Sequence, residues 1–219
     1  MSRRYDQIAM EPMYGFFHYL CMLAYEMFFR GEVCGTSNIP VTGPFIVACN
    51  HASHLDPPFV GAQVPRQMAF FARKTLWKPG IAQWWLDGVG TIPVDRDGGS
   101  DVAAIRRVLQ TLQSGKALIL FPEGTRSPDG SLQPAKPGVG LIACKTQAPV
   151  LPARIFNSHL AFGRGGKLRV GTRISVVFGP VIQPKDYDDP GAGRDRYQRA
   201  SERIMGSISR LRMPEYPVI

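Results

Sequence analysis

Short apolar runs that stop on polar clusters constrain this chain more than any other feature. Phe45-Ile46-Val47-Ala48-Cys49 ends at Asn50 and His51. Val89-Gly90-Thr91-Ile92-Pro93-Val94 ends in Asp95-Arg96-Asp97, and Ala117-Leu118-Ile119-Leu120-Phe121 runs into Pro122-Glu123-Gly124-Thr125-Arg126. Such runs read as buried strands. Met68-Ala69-Phe70-Phe71-Ala72, followed by Arg73-Lys74, adds another strand, as do residues 150–156; residues 168–178 make one or two more. A short strand is also expected around Val33-Cys34-Gly35. Between the strands lie helical stretches at 57–63 and 139–146. A third helix, opened by Ser100 and closed by Ser114-Gly115, sets Val102, Ile105, Val108, Leu109 and Leu112 against Arg106, Arg107, Gln110 and Gln113. Strand and helix alternate, which implies an α/β domain: a largely parallel or mixed central sheet flanked by helices. Sites in such sheets gather at the carboxyl ends of strands. All three polar clusters fall there.

Composition narrows the partners. At 219 residues the chain suits one domain with a sizeable core. Its 26 basic and 17 acidic residues give a net charge of +9, which favours an anionic partner: nucleic acid, anionic lipid or a phosphorylated small substrate. The aromatics do not interleave with the basic residues in a nucleic-acid-binding pattern, so no nucleic acid is expected. The four cysteines are scattered, and two sit inside apolar runs, which fits reduced thiols in a cytoplasmic protein. His51 and His54 have no acidic or cysteine ligand at metal-site spacing, so no metal is expected.

The N-terminal stretch 13–29 is the most apolar of the chain. It lacks the layout of a signal peptide, and with His18 and Glu26 inside it falls short of the ~20 apolar residues of a membrane span. At helical spacing Phe16, Leu20, Leu23 and Met27 form one face, and Tyr14, His18, Cys21 and Tyr25 another. A helix lying in a membrane interface fits this pattern; so does a helix packed on the domain's own core. The former is the expectation, with residues 1–30 as a membrane-associating helix and 31–219 as the catalytic domain. Trp77, Trp84 and Trp85 mark an aromatic segment expected to hold two short helices. Residues 186–193 read as a polar loop, and 194–213 as a basic, solvent-facing helix.

The stretch Asn50-His51-Ala52-Ser53-His54-Leu55-Asp56 is followed by Pro57-Pro58. On one continuous helix, a five-residue spacing would set His51 and Asp56 roughly 140° apart. With His51 at a strand end and Asp56 at the mouth of the next helix, the turn can bring carboxylate to imidazole. A histidine so held is the general base that nucleophilic and acyl-transfer chemistry needs. Asp56-Pro57 also reads as a helix N-cap with proline at the first position. Arg96 and Arg126, each just beyond a strand, are fixed-charge forks suited to phosphate. Glu123-Gly124-Thr125 suits gripping a polyol. No Walker loop, dinucleotide fingerprint or Gly-x-Ser-x-Gly elbow is present. A base without a protein nucleophile points to activation of a substrate hydroxyl.

These residues carry a resemblance. His51-Ala52-Ser53-His54-Leu55-Asp56 fits the H-x-x-x-x-D signature of the glycerolipid acyltransferases, the family of 1-acylglycerol-3-phosphate acyltransferases. Gly90-Thr91-Ile92-Pro93-Val94-Asp95-Arg96 resembles that family's second motif, and Phe121-Pro122-Glu123-Gly124-Thr125-Arg126-Ser127 its third. Ala148-Pro149-Val150-Leu151-Pro152 is similar to its fourth, with alanine where valine is common. The resemblance spans about residues 33–182.

The resemblance implies the glycerolipid acyltransferase fold and a reaction. His51 would deprotonate the free hydroxyl of lysophosphatidate, which attacks the thioester of acyl-CoA or acyl carrier protein. Asp56 would hold the imidazole, and no acyl-enzyme or bound cofactor is expected. Arg96, Glu123, Gly124, Thr125 and Arg126 would bind the glycerol-phosphate head, with Lys74 a further candidate at a strand end. The product is phosphatidate for phospholipid synthesis. Another lysolipid acceptor under the same mechanism and a catalytically silent membrane scaffold are the alternatives. An anionic membrane surface, attracting basic residues by about 1 kcal/mol each, is the expected partner. The expected location is the cytoplasmic face of the cell membrane, peripheral or monotopic.

Overall fold

The computed structural model describes residues 10–73, 75, 77–88, 91–94 and 102–215. Seven strands form one sheet: β1 (Val33–Cys34), β2 (Ile46–Cys49), β3 (Met68–Arg73), β4 (Thr91–Val94), β5 (Ala117–Leu120), β6 (Val150–Phe156) and β7 (Ser175–Phe178). Their order is β1-β7-β6-β2-β5-β3-β4. From β6 to β4 every pairing is parallel. β7 pairs antiparallel with β6 and parallel with β1, so the two strands at that end of the sheet run against the other five. The sheet is therefore mixed.

The helices are α1 (Pro12–Phe28), α2 (Asp56–Ala62), α3 (Ile81–Gly88), α4 (Val102–Gln113), α5 (Pro137–Thr146), α6 (Ser158–Phe162), α7 (Pro184–Tyr187) and α8 (Arg196–Ser209). They cover both faces of the sheet, as the period-2 alternation of strand side chains requires. Val47 and Cys49 of β2 face a core shared with Tyr25 and Phe29 from the α1 side and with Phe59 and Val60 of α2. Ile46 and Ala48 face a second core built by Val108 and Leu112 of α4, Ile142 and Ala143 of α5, and Ile204 and Ile208 of α8. All four β2 side chains are fully buried, which is why the strand reads as an unbroken apolar run.

α1 has the two faces expected of it. Tyr14 and Tyr25 are buried, and the Tyr25 hydroxyl donates to the Ile174 carbonyl. His18 meets the Val64 carbonyl through its Nε2, 3.0 Å away. On the other side Phe16, Leu20, Leu23 and Met27 are exposed, with Phe16 at 65% and Met27 at 63%. One face packs on the domain; the other has nothing over it among the described residues.

The structure differs from the sequence expectation at residues 186–193 and along α8. The stretch 168–178 yields one strand, β7, within the one or two expected, and residues 163–172 ahead of it make two tight turns with Gly165 and Gly171 at positive φ. The supposed loop 186–193 carries α7 and a 3₁₀ helix, Pro190–Asp195, anchored by Tyr187. Tyr187 is fully buried, and its hydroxyl donates to the Ala148 carbonyl at 2.8 Å. α8 is not simply solvent-facing: Ala200, Ser201, Ile204, Ser207 and Ile208 are buried, several of them against α5. Of the two short helices expected in the aromatic segment, α3 is one; residues 74 and 76 lie outside the described residues.

The α5–α8 contact depends on a missing side chain. A Cβ on Gly140 would lie 2.0 Å from the Tyr197 carbonyl oxygen, and the Gly140 N–H already donates to Ser201 Oγ at 2.8 Å. Gly140→Ala should destabilise the fold by about 1–3 kcal/mol through overpacking. Gly138→Ala, where a Cβ meets nothing within 4 Å, should be neutral or slightly stabilising through helix propensity. Urea unfolding of the two variants checks the contrast.

Candidate active site

β2, β5 and β3 run parallel side by side, with β4 beyond, so their carboxyl ends face one way. β2 ends at Cys49, and the chain turns at once through residues 50–55 into α2. Asn50 pins the start of this turn to the neighbouring strand. Its amide donates to the Ile155 carbonyl at 3.0 Å and accepts from the Ile155 N–H at 2.8 Å. Ser53 ties the far side: its hydroxyl donates to the Phe162 carbonyl at 2.8 Å and accepts from the Leu55 N–H at 3.0 Å.

Within this turn Asp56 is completely buried and gathers three N–H groups on one oxygen. Its Oδ2 lies 2.8 Å from His51 Nδ1, 2.6 Å from the Ala52 nitrogen and 2.7 Å from the Ser53 nitrogen. An oxygen collecting this many donors acts as acceptor, so Nδ1 carries a hydrogen, and in the neutral ring the lone pair is on Nε2. Asp56 opens α2, yet its side chain turns back to the loop instead of capping the helix. Phe121 stacks on the imidazole with ring centroids 4.2 Å apart and planes 23° from parallel. The His51 side chain remains 17% exposed. One edge is held while the other stays open.

The loop after β5 completes the cluster. The Ser127 N–H donates to the His51 carbonyl at 2.7 Å, and the His51 N–H approaches Glu123 Oε1 at 3.4 Å. Glu123 is buried, and desolvation pushes its carboxyl up to about 7, against the opposing pull of the His51 and Gln133 backbone N–H groups. Gly124 turns at φ +65, where a Cβ would come within 3.0 Å of the Lys136 side chain. Thr125 is exposed and Arg126 half-buried. Burial first, then the charges of Arg126 and His51, lowers the His54 pKa, which places Arg126 within electrostatic reach of His54.

The predicted residues His51, Asp56, Glu123, Gly124, Thr125 and Arg126 thus come together at one end of the sheet. Lys74 and Arg96 lie outside the described residues; β3 and β4 end at Arg73 and Val94, which are register partners. Sequence reasoning missed Ser53, Phe121 and Lys136 as parts of this site, and gave Asn50 no role. Asn50 had a signal, a polar side chain directly after a wholly buried strand. Lys136 had none, because only the fold brings it against Gly124.

Protonation of Glu123 gives a pH signature. A carboxyl raised from the ordinary 4.5 to about 7 contributes stability that is present below the lower value and lost as pH rises through the higher. Wild-type stability should therefore fall across that window, and Glu123→Gln should flatten the decline. Chemical denaturation at several pH values checks this.

Comparison with known proteins agrees with the geometry. The chain is 33% identical over 187 residues to the bovine (Bos taurus) 1-acyl-sn-glycerol-3-phosphate acyltransferase alpha, covering 82% of this chain and 64% of that protein. It is 28% identical over 162 residues to the Brassica napus chloroplastic 1-acyl-sn-glycerol-3-phosphate acyltransferase BAT2, covering 72% of this chain and 47% of that one. The chain therefore spans about half the length of the Brassica relative. The crystal structure of the 1-acyl-sn-glycerophosphate acyltransferase PlsC from Thermotoga maritima superposes with a TM-score of 0.75 at 26% identity, covering 90% of this chain and 77% of that one. The family model described as Acyltransferase matches residues 30–156, more than half of the chain, from just before β1 to the end of β6. On that match, the chain belongs to the acyltransferase family.

Proposed function

We propose that this protein transfers a fatty acyl group from a thioester, acyl-CoA or acyl carrier protein, to the free hydroxyl of 1-acylglycerol-3-phosphate, giving phosphatidate. The observation that carries the reading is the His51–Asp56 pair at a strand end, with Asp56 on Nδ1 and Nε2 left open. The names of the relatives support the acceptor.

In this reaction His51 Nε2 takes the proton of the acceptor hydroxyl as its oxygen attacks the thioester carbon. Asp56 stabilises the imidazolium that forms and keeps the ring in register. The carbon–sulfur bond then breaks, and the imidazolium returns its proton to the departing thiolate. No protein side chain is acylated. The protein spends its structure on positioning, through the Asp56 fan, the Phe121 stack and the bonds from Glu123 and Ser127 to the His51 backbone.

The headgroup lies on this reading against the loop after β5. Gly124 permits the turn, Thr125 offers a hydroxyl, and Arg126 with Lys136 supplies cations. Glu123, buried beneath them, holds the loop to the His51 backbone and faces the polyol. Arg96 and Lys74, beyond the ends of β4 and β3, add positive charge to the phosphate site. No cofactor or metal takes part.

The acceptor is a lipid, which bears on where the enzyme works. Among the described residues no helix is long and apolar enough to cross a membrane. The open face of α1 instead suits lying in the interface of an anionic membrane on its cytoplasmic face, a peripheral or monotopic attachment.

A purified-enzyme assay of free thiol release, with lysophosphatidate and acyl-CoA, tests the assignment. His51→Ala should abolish release while the circular dichroism stays that of the wild type; substantial turnover would sink the mechanism. Arg96→Ala should raise the acceptor KM at least about tenfold through loss of a charge-assisted phosphate bond and leave the donor KM nearly unchanged. Equal effects on both would remove Arg96 from the phosphate site.

A further inference from the structure

The segment after α6 has no part in the chemistry above, yet its composition and place are distinctive. Residues 163–173 read Gly-Arg-Gly-Gly-Lys-Leu-Arg-Val-Gly-Thr-Arg, and from Gly130 to Lys185 the chain holds no aspartate or glutamate. Two tight turns shape the segment, one closed by Gly166 N–H to the Gly163 carbonyl at 3.1 Å. In the other the Thr172 hydroxyl donates to the Arg169 carbonyl at 3.0 Å. Two apolar side chains point outward, Leu168 at 54% exposure and Val170 at 61%, interleaved with exposed Lys167 and Arg169. Leu160 of α6, half exposed, adds to them.

Its position is fixed by the backbone. The Gly171 N–H donates to the Phe28 carbonyl at 2.8 Å, at the carboxyl end of α1, and the Arg169 N–H to the Ala161 carbonyl at 2.7 Å. The segment therefore abuts the end of α1 that carries the exposed Met27 and Phe28. α6 in turn is latched to the catalytic turn through Phe162 and Ser53. Glu26 and Glu32 are the exposed acids of the adjoining stretch, against Arg30, Arg164, Lys167 and Arg169.

We propose that the 163–173 loop is a second membrane contact, which inserts Leu168 and Val170 beside the open face of α1 and sets its basic side chains on anionic lipid headgroups. The proposal rests on reading α1 as membrane-facing. Continuity with that face, and the absence of acids along the segment, favour a lipid surface over an acidic protein. A helix alone can roll about its own axis on a membrane; two contacts joined at the Phe28–Gly171 bond fix the roll. The catalytic turn is then held at a set orientation to the surface that delivers the acceptor.

The test uses full-length protein and co-sedimentation with phosphatidylcholine vesicles, with and without phosphatidylglycerol. Replacing Arg164, Lys167 and Arg169 together by Gln should lower affinity for the anionic vesicles by about tenfold or more, given the contribution of each basic residue near such a surface. Affinity for neutral vesicles should hardly change. Leu168→Ser with Val170→Ser should weaken binding to both. Turnover of a short-chain lysophosphatidate below its micelle concentration should match the wild type in every loop variant, which shows that the domain is folded. Anionic-vesicle binding left intact in the charge variant overturns the loop contact. If Phe16→Ser, Leu20→Ser and Met27→Ser together still abolish binding, the reading of α1 survives that failure. A raised KM for a carrier-protein thioester, with vesicle binding unaltered, would instead assign the loop to the donor protein and overturn the proposal.

Discussion

The buried carboxylate of Asp56 is the interaction on which the rest of the site depends. Taking an ionised carboxylate out of water costs several kcal/mol unless its lone pairs are satisfied. Here the compensation is local and one-sided: three N–H groups within five residues of chain converge on Oδ2, while Oδ1 is buried with no hydrogen-bond partner among the described residues. Gathering donors on Oδ2 therefore dictates the conformation of the turn, and the conformation of the turn aims the imidazole. Two of the donors are backbone amides, so the geometry survives most changes of side chain at Ala52 and Ser53. It does not survive loss of the carboxylate.

That turn would be a floppy connector without its neighbours. β2 lies at the centre of the sheet between β6 and β5, and the turn leaving it is stitched to both sides. Asn50 closes a two-way amide link to Ile155 at the end of β6. On the β5 side, Ser127 and Glu123 bond to the two backbone polar groups of His51 itself. Parallel pairing makes this possible, because only parallel strands end side by side at the same edge of the sheet. The HX4D turn and the Glu-Gly-Thr-Arg loop are thus neighbours for a topological reason, although 72 positions separate His51 from Glu123.

Much of this was legible in the sequence because burial on both faces leaves an unmistakable mark. β2 and β5 are unbroken apolar runs, and the polar clusters after them are abrupt. The pairing of His51 with Asp56 followed from spacing and the proline stop. What escaped has a common cause. The reversed direction of β7 depends on how residues 157–174 travel back, and that stretch contains glycine-dependent turns and the five-residue α6, too short for periodicity to reveal. α7 was hidden in a polar, proline-bearing segment whose anchor is one buried tyrosine. Glu123 read as an open polar ligand, whereas its 1% exposure and its bond to His51 make it part of the floor as well. Burial of a carboxylate is a property of the fold and leaves no trace in a single residue's context.

α1 shows why two readings of one apolar stretch need not compete. Tyr14 and Tyr25 belong to the domain, and the Tyr25 hydroxyl donates to the carbonyl just before β7. Phe16, Leu20 and Met27, a turn or less away, are open. A helix that served the core alone would carry polar residues on its outer face, as α4 does with Arg106 and Arg107. Retaining large apolar groups there costs solubility and gains the domain nothing in packing. The cost is offset when that face meets a lipid surface, since each fully buried Leu, Phe or Met is worth about 1.5–3 kcal/mol. The helix is fastened to the rest of the domain through its aromatic face, so under the membrane attachment proposed above a lipid surface that holds the helix would hold the domain as well. Tyr25 and Phe29 both pack on Phe59 of α2, three residues beyond Asp56. The path from the open face of α1 to the carboxylate that aims His51 is then one helix wide.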